Sequence, residues 1–169
     1  MECGKVMCEV KTMRVRQAKR EDIEEINKLT IQMHNHLGRL VGIEFTLDDL
    51  KEELFSESDS LDGVCVADVD GKVVGYISFS NKTYEDEWSG RNLRLEHLIV
   101  DEKHRRKGYG TKLLKALLQK AQRYDANVIA DTFTKNTGTI EFFKSLGFKP
   151  FETIFLLDRK KRLRLDDQW

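Results

Sequence analysis

Hydrophobic positions along the chain change their period repeatedly, and each change marks an element. Across residues 12–18, Met13, Val15 and Gln17 alternate with Arg14, Arg16 and Ala18, the two-residue period of a strand. Residues 19–37 switch to helical spacing. Ile23, Ile26, Met33 and Leu37 share one stripe, acids occupy the first turn where the helix dipole favours them, and Gly38 is the expected stop. A second, short helix is expected over residues 46–55, opened by a capping box in which Asp49 replaces the usual glutamate opposite Thr46. The clearest hairpin follows: residues 64–69 and 73–79 are apolar runs flanking Asp70-Gly71, which supplies the positive φ angles of a tight turn. A polar loop over residues 81–91 leads to a strand at 93–100. After a basic, glycine-bearing turn comes a helix at 111–124, with Leu113, Leu114, Leu117, Leu118 and Ala121 on one face. Residues 127–133 read as a strand, 137–146 as a helix ended by Gly147, and 151–157 as a last strand.

This order predicts one mixed α/β domain over residues 1–169, with 1–11 as a lead-in and 158–169 as a basic C-terminal tail. At 169 residues, 40% hydrophobic and 34% charged, the chain can bury a substantial core. Lys+Arg and Asp+Glu both number 29, so no cation surplus exists for a phosphate backbone, and no nucleic-acid partner is expected. The apolar runs are too short to cross a membrane, and the first residues lack the apolar region of a secretory signal, so no membrane partner is expected either. Three cysteines, Cys3, Cys8 and Cys65, are odd in number and have no metal-ligand spacing. Neither a disulfide framework nor a metal site is expected, and a reducing, cytoplasmic location fits.

The most informative stretch joins the strand at 93–100 to the helix at 111–124. Gly108 and Gly110 let the backbone curl so that successive N–H groups face one concavity, and the helix N-terminus adds its positive dipole end. Arg105, Arg106 and Lys107 add charge there. A pyrophosphate suits such a turn. It has no Gly-Lys-Ser/Thr ending of a Walker loop and no G-x-G-x-x-G of a dinucleotide fold, and two glycines alone would equally fit an ordinary strand-to-helix turn with solvated basic residues.

Two motifs in order change that balance. Arg105-x-x-Gly108-x-Gly110, preceded by Leu98-Ile-Val-Asp101, resembles motif A of the GNAT superfamily of acetyl-CoA-dependent N-acetyltransferases. Residues 136–148, running from Asn136 through Phe142-Phe143 to Gly147-Phe148, resemble that family's motif B. The likeness spans about Val15 to Leu157. It implies a central mixed, mostly antiparallel sheet of six to seven strands, flanked by about four helices and splayed between its fourth and fifth strands.

The resemblance also implies roles. Leu98, Ile99 and Val100 would pair through their main chain with the pantetheine arm of acetyl-CoA. Arg105, Arg106, Lys107, Gly108, Tyr109, Gly110 and Thr111 would hold its pyrophosphate. Asn136 would bond the cofactor's amide or carbonyl groups, although an asparagine there equally suits a helix N-cap. Phe143 stands where many family members carry a tyrosine that protonates the departing thiolate, and phenylalanine donates no proton. A thiolate, with a thiol pKa of roughly 8.5, still leaves without one. The acceptor is then a primary amine of a small cationic or amino-acid-like molecule. The alternatives are a protein N-terminus or lysine, or a CoA-binding module with weak catalysis. A homodimer is an analogy with the family only.

An ammonium has no lone pair, so the reaction needs a base. Glu96 resembles the strand glutamate that diamine and polyamine acetyltransferases carry in Leu-Glu-Asp, here Leu95-Glu96-His97. The plain alternative is a surface glutamate paired with Arg94. Strict alternation sets Glu96 beside Arg94 and turns Leu95 and His97 to the opposite, helix-covered face, so His97 ranks second as base. His34 and His36 read as polar helix-end residues, His104 as a solvated turn residue and Cys65 as a small core residue. The run from Arg159 to Arg164 reads as a solvated tail or edge-strand guard. The acidic loop Glu85-Asp86-Glu87, between Tyr84 and Trp88, is expected near the acceptor, where charge and cation–π attraction would draw an amine.

Overall fold

A computed structural model describes residues 12–155, and the basic run at 159–164, Cys3 and Cys8 lie outside them. The chain divides into two compact units, Met1–Lys135 and Asn136–Trp169, each taken by itself below. In the first unit the strands are β1 (Met13–Gln17), β2 (Val64–Val69), β3 (Lys72–Phe79), β4 (Tyr84–Asp86), β5 (Gly90–Val100) and β6 (Asn127–Ile129). Its helices are α1 (Ile23–Val41) and α2 (Tyr109–Tyr124), and the second unit holds α3 (Thr137–Ser145). The sheet runs β1-β2-β3-β5-β4, antiparallel throughout, with β6 added to β5 as the one parallel strand among the described residues.

Helix α1 covers one face of the sheet. Ile26 and Leu29 are buried with Ala18, Val64, Val66, Tyr76 and Ile99, and Met33, Phe55 and Leu61 close the cluster's edge. The Tyr76 hydroxyl meets Thr30 Oγ1 at 2.7 Å inside this layer, which satisfies both polar groups at a depth where an unpaired one would be costly. Helix α2 supplies a second layer through Leu113, Leu114, Leu117 and Ala121, all buried. Lys120 of α2 lies 5.2 Å from the Phe79 ring centre, which places Phe79 on the α2 face. The Asp70-Gly71 hairpin forms as expected, with φ of 52° and 83°.

Several expectations are corrected. Helix α1 begins at Ile23, after a 3-10 turn at Arg20–Asp22, and runs through Gly38 to Val41. Gly38 is a contact site, where a Cβ would lie 2.3 Å from the Ile43 carbonyl. The stop is Gly42, in the left-handed conformation at φ 77°. Residues 46–55 form turns in place of a helix. Their capping box exists, with Thr46 N donating to Asp49 Oδ2 at 2.8 Å and Asp49 N to Thr46 Oγ1 at 3.3 Å. Only Leu50 of the segment is buried, which is too little to offset the cost of helix nucleation in so short a piece.

The loop at 81–91 contains β4, and β5 starts at Gly90 rather than 93. Strand β6 stops at Ile129 rather than 133, because its pairing with β5 ends at Arg94. Over its described residues, 151–155, the expected last strand is not formed, and the rest of that stretch lies outside the described residues. The described helices number three, not four.

One ion cluster ties the start of the chain to the hairpin. Arg16 donates to Asp22 at 2.6 and 2.9 Å and to Asp68 at 2.8 Å, and the two carboxylates are buried. Its hydrogen bonds hold both carboxyls below the usual carboxylate range. Removing one partner strands buried charge, so Arg16→Met is expected to cost about 3–5 kcal/mol in a urea unfolding experiment. Because the folded-state values are depressed, this share of the stability is present at neutral pH. It is lost as the pH falls below about 4, through the folded values.

Candidate active site

Strand β5 has one edge that is open, among the described residues, along its C-terminal half. Strand β6 pairs with it only at Asn92, Leu93 and Arg94, after which β5 continues to Val100 with no strand on that side among the described residues. This is the splay expected between the fourth and fifth strands of the sequence reading. On its other edge β5 follows β3, where Asp101 N–H donates to the Val74 carbonyl at 2.9 Å. In an antiparallel ladder, backbone groups alternate sides, so Ile99 and Asp101 bond to β3 while Leu98 and Val100 turn their N–H and C=O to the open edge. Of the three expected cofactor partners, Leu98 and Val100 therefore fit and Ile99 does not. The Val100 carbonyl already accepts from Arg105 Nε at 3.0 Å, which anchors the side chain of the following turn.

That turn is built as a concavity of donors. Arg106 and Gly108 take positive φ, 62° and 79°, and Gly108 caps α2. Gly110 is an ordinary helical residue in the first turn, so the curl depends on Arg106 and Gly108 and not on both glycines. Tyr109, Gly110 and Thr111 present the N–H groups that a helix start leaves without internal partners. Arg106 and Lys107 are exposed and form no ion pair among the described residues. Asp101 braces the base of the turn, accepting from His104 Nδ1 at 2.6 Å and from Gln32 Nε2 at 3.3 Å. His104 is thus half-buried and bonded, not a solvated turn residue. The donor set suits an extended, amide-bearing arm along β5 that ends in a pyrophosphate at α2.

Next to the open edge, β5 bulges. Ser78 pairs with His97 but Phe79 pairs with Leu95, which leaves Glu96 over. A bulge shifts the side-chain phase by one residue. Leu95 therefore lies with Phe79 on the α2 face, whereas His97 lies with Ser78 on the α1 face, near Tyr76, whose ring centre is 6.1 Å away. The expectation that Leu95 and His97 share a face fails for this reason. Glu96 and His97 instead line one cleft of about 370 Å³ with Ser78, Phe55, Glu52, Glu53 and Asp59. Glu52 and Glu53 come from the segment expected to be a helix, and Asp59 from the residues just after it. Its dense acids were the signal in the sequence, and it was read as capping chemistry.

His97 is the most constrained group in that cleft. Its Nδ1 lies 3.0 Å from the Ser78 hydroxyl, itself buried, and its Nε2 lies 3.7 Å from Glu53 Oε2. Burial pushes its pKa down, against the pull of Glu53 and Glu96. Glu96 is exposed, and Arg94, its expected partner, pairs with Asp131 at 2.5 Å. His34 sits mid-helix, half-buried against the Phe45 ring at 5.4 Å, not at a helix end. Cys65 is half-buried, and burial pushes its thiol up.

The acidic loop sits elsewhere. Strand β4 pairs with residues 90–92 at the start of β5, roughly 30 Å along an eleven-residue strand from the turn at 105–110. Glu85 pairs with Arg91 at 3.0 Å, and Asp86 accepts from the N–H groups of Trp88 and Ser89. Two of the three acids are used in local structure, and the loop does not rim the cleft.

In the second unit, Asn136 takes the N-cap position of α3 without a side-chain capping bond. Phe143 anchors the helix end. Phe148 N–H donates to the Phe143 carbonyl at 3.1 Å and Gly147 N–H to Lys144 at 3.0 Å, a Schellman ending in which the rings of Phe143 and Phe148 meet at 5.1 Å.

A family model described as "Acetyltransferase (GNAT) family" matches residues 33–148. An N-alpha-acetyltransferase of Sulfurisphaera tokodaii is 30% identical over 156 residues, covering 85% of this chain and 84% of the relative. Human N-acetyltransferase 8 is 33% identical over 105 residues, 61% of this chain and 44% of the relative. The chain spans under half the length of three of the curated relatives that it matches, 44%, 42% and 49%. Among solved structures, the aminoglycoside N-acetyltransferase AAC(6')-Iy in complex with CoA superposes with a TM-score of 0.63 at 22% identity, covering 88% of this chain and 96% of that one.

Proposed function

The chain belongs to the GNAT acetyltransferase family, and from that premise we propose that it transfers the acetyl group of acetyl-CoA to a cationic primary amine. The observation that carries the reading is the open edge of β5 leading into the donor-lined turn at 105–111. Acetyl-CoA, when bound, supplies a thioester already activated for attack by nitrogen. Leu98 and Val100 hold its arm as an added strand, and the N–H groups of residues 109–111, with Arg106 and Lys107, take its pyrophosphate. In the family motif, Asn136 and Phe143 are also cofactor residues. The family match crosses from the first compact unit into the second, which supports one acetyltransferase domain.

The acceptor class rests on the cleft at the bulge. Four carboxylates, Glu52, Glu53, Asp59 and Glu96, line it beside His97, and together they favour a positively charged amine over a neutral or anionic one. Glu96 takes a proton from that amine, directly or through a water, so that nitrogen gains its lone pair. Phe143 serves as an aromatic anchor, and the thiolate leaves without a phenol. Acetylation of a protein N-terminus is the second reading, favoured by the name of the Sulfurisphaera relative.

Among the described residues, no helix is long and apolar enough to cross a membrane. Release of free thiol from acetyl-CoA tests the proposal, with a panel of diamines, amino acids and short peptides as acceptors. Turnover is expected with small dications and only weakly with peptides. A peptide-only response favours the second reading, and release with none of them overturns both.

A further inference from the structure

The transfer reaction asks for more than one proton acceptor. When the acceptor arrives as an ammonium, the C–N bond forms, the C–S bond breaks and two protons leave nitrogen. One ends on the sulfur of CoA and the other in water. Glu96 accounts for one of these transfers, which leaves the other open to a second group in the same cleft.

Resting on the acetyl-transfer reading above, we propose that His97 is a second catalytic residue, which takes the proton that nitrogen loses after Glu96 has freed its lone pair, with Ser78 as its positioning residue. The bulge that frees Glu96 from the ladder puts His97 next to it in the same cleft, though adjacent strand residues ordinarily point to opposite faces. Nδ1 lies 3.0 Å from the buried Ser78 hydroxyl, and in the proposed role it carries the ring hydrogen and donates it to that hydroxyl, which leaves the lone pair on Nε2. Nε2 then faces Glu53 Oε2 across 3.7 Å, a gap too long for a direct hydrogen bond. Both atoms are acceptors in that tautomer, and an ammonium brought between them satisfies both. Once the proton has moved to Nε2, the imidazolium stands beside the Glu53 carboxylate, which stabilises it. Glu96, at the exposed side of the cleft, takes the other proton, the one whose loss frees the lone pair for attack.

Every charged group that faces the ring bears on its titration. Glu53 from the 46–60 segment and Glu96 from its own strand favour the protonated ring, His34 from α1 opposes it, and burial against β3 keeps it neutral at rest.

The test is the acid limb of the pH profile of kcat/KM for the amine. Two groups that must both be deprotonated give a limiting slope of two in the wild-type protein. His97→Gln is expected to leave a slope of one and to lower kcat at neutral pH roughly 10²-fold, with the KM for acetyl-CoA unchanged. An unchanged slope overturns the proposal. A readout independent of turnover is the imidazole titration of the free protein by NMR, with Glu53→Gln as a surface variant that leaves the fold intact. The ring is expected as the Nδ1–H tautomer, and its midpoint is expected to move to lower pH when Glu53 loses its charge. An Nε2–H tautomer or an unmoved midpoint overturns the assignment. A wild-type protein that releases no thiol with any amine overturns the acetyl-transfer reading instead, while the titration still decides the geometry of His97.

Discussion

Glu96→Gln is expected to lower kcat/KM for the amine by roughly 10²–10⁴-fold at neutral pH, the worth of a positioned acid–base group. Its affinity for CoA should be untouched. The split follows from where the side chain sits. Glu96 is the extra residue of the β5 bulge, aimed into the acceptor cleft, whereas the cofactor edge is made by the backbone of Leu98 and Val100. Glutamine keeps the size of the side chain and loses only its capacity to accept a proton and to attract a cation. The loss should shrink as the pH rises towards the amine's own pKa, since free amine then forms without help. Phe143→Tyr should change the rate less, because a thiolate leaves unprotonated and position 143 already serves the helix ending with Phe148. Wild-type rates in Glu96→Gln at neutral pH would remove Glu96 from the mechanism and leave His97 as the base.

Gly110→Val should weaken CoA binding by roughly tenfold to a hundredfold, read by isothermal titration. Loss of one charge-assisted hydrogen bond costs about 1.5–3 kcal/mol, and each 1.4 kcal/mol is about tenfold in Kd. Gly110 lies in the first turn of α2 with ordinary helical φ, so valine is accepted by the backbone and is a better helix former than glycine. What valine adds is a side chain where a pyrophosphate must approach the N–H groups of Tyr109, Gly110 and Thr111. Gly108 is the poorer test position, since its φ of 79° strains any other residue and folding would fall together with binding. A folded Gly110→Val protein with unchanged affinity would remove the turn at 105–111 from the cofactor site.

The central hairpin, the helix after the turn and the donor-rich turn itself were all legible in the sequence. Each depends on residues that are neighbours along the chain. Asp70-Gly71 specifies its turn through its own backbone angles. The stripe of Leu113, Leu114, Leu117 and Ala121 specifies its helix through a 3.6-residue period. The curl at 105–110 follows from the basic run, a glycine and the helix start. Even the chemistry at 96 and 97 was visible as a pair of candidate bases, although not which way each one pointed.

The acceptor side was decided by the tertiary structure. A bulge is a property of two strands taken together, since Glu96 becomes the extra residue only when β3 supplies one partner fewer. Alternation along β5 alone therefore put His97 on the same face as Leu95, which the bulge separates. Residues 46–55 were read as a capped helix because their local signals favour one. Leu50 and Phe55 dock on the sheet and on α1 instead, and that docking carries Glu52, Glu53 and Asp59 to the cleft. The acidic loop was misplaced for the same reason, because pairing of β4 with residues 90–92 sends it to the far end of β5. Local sequence determined the elements and the cofactor turn, where bonds form between near neighbours. Long-range pairing and packing decided which side chains meet around the acceptor, since those contacts join residues that are distant in the chain.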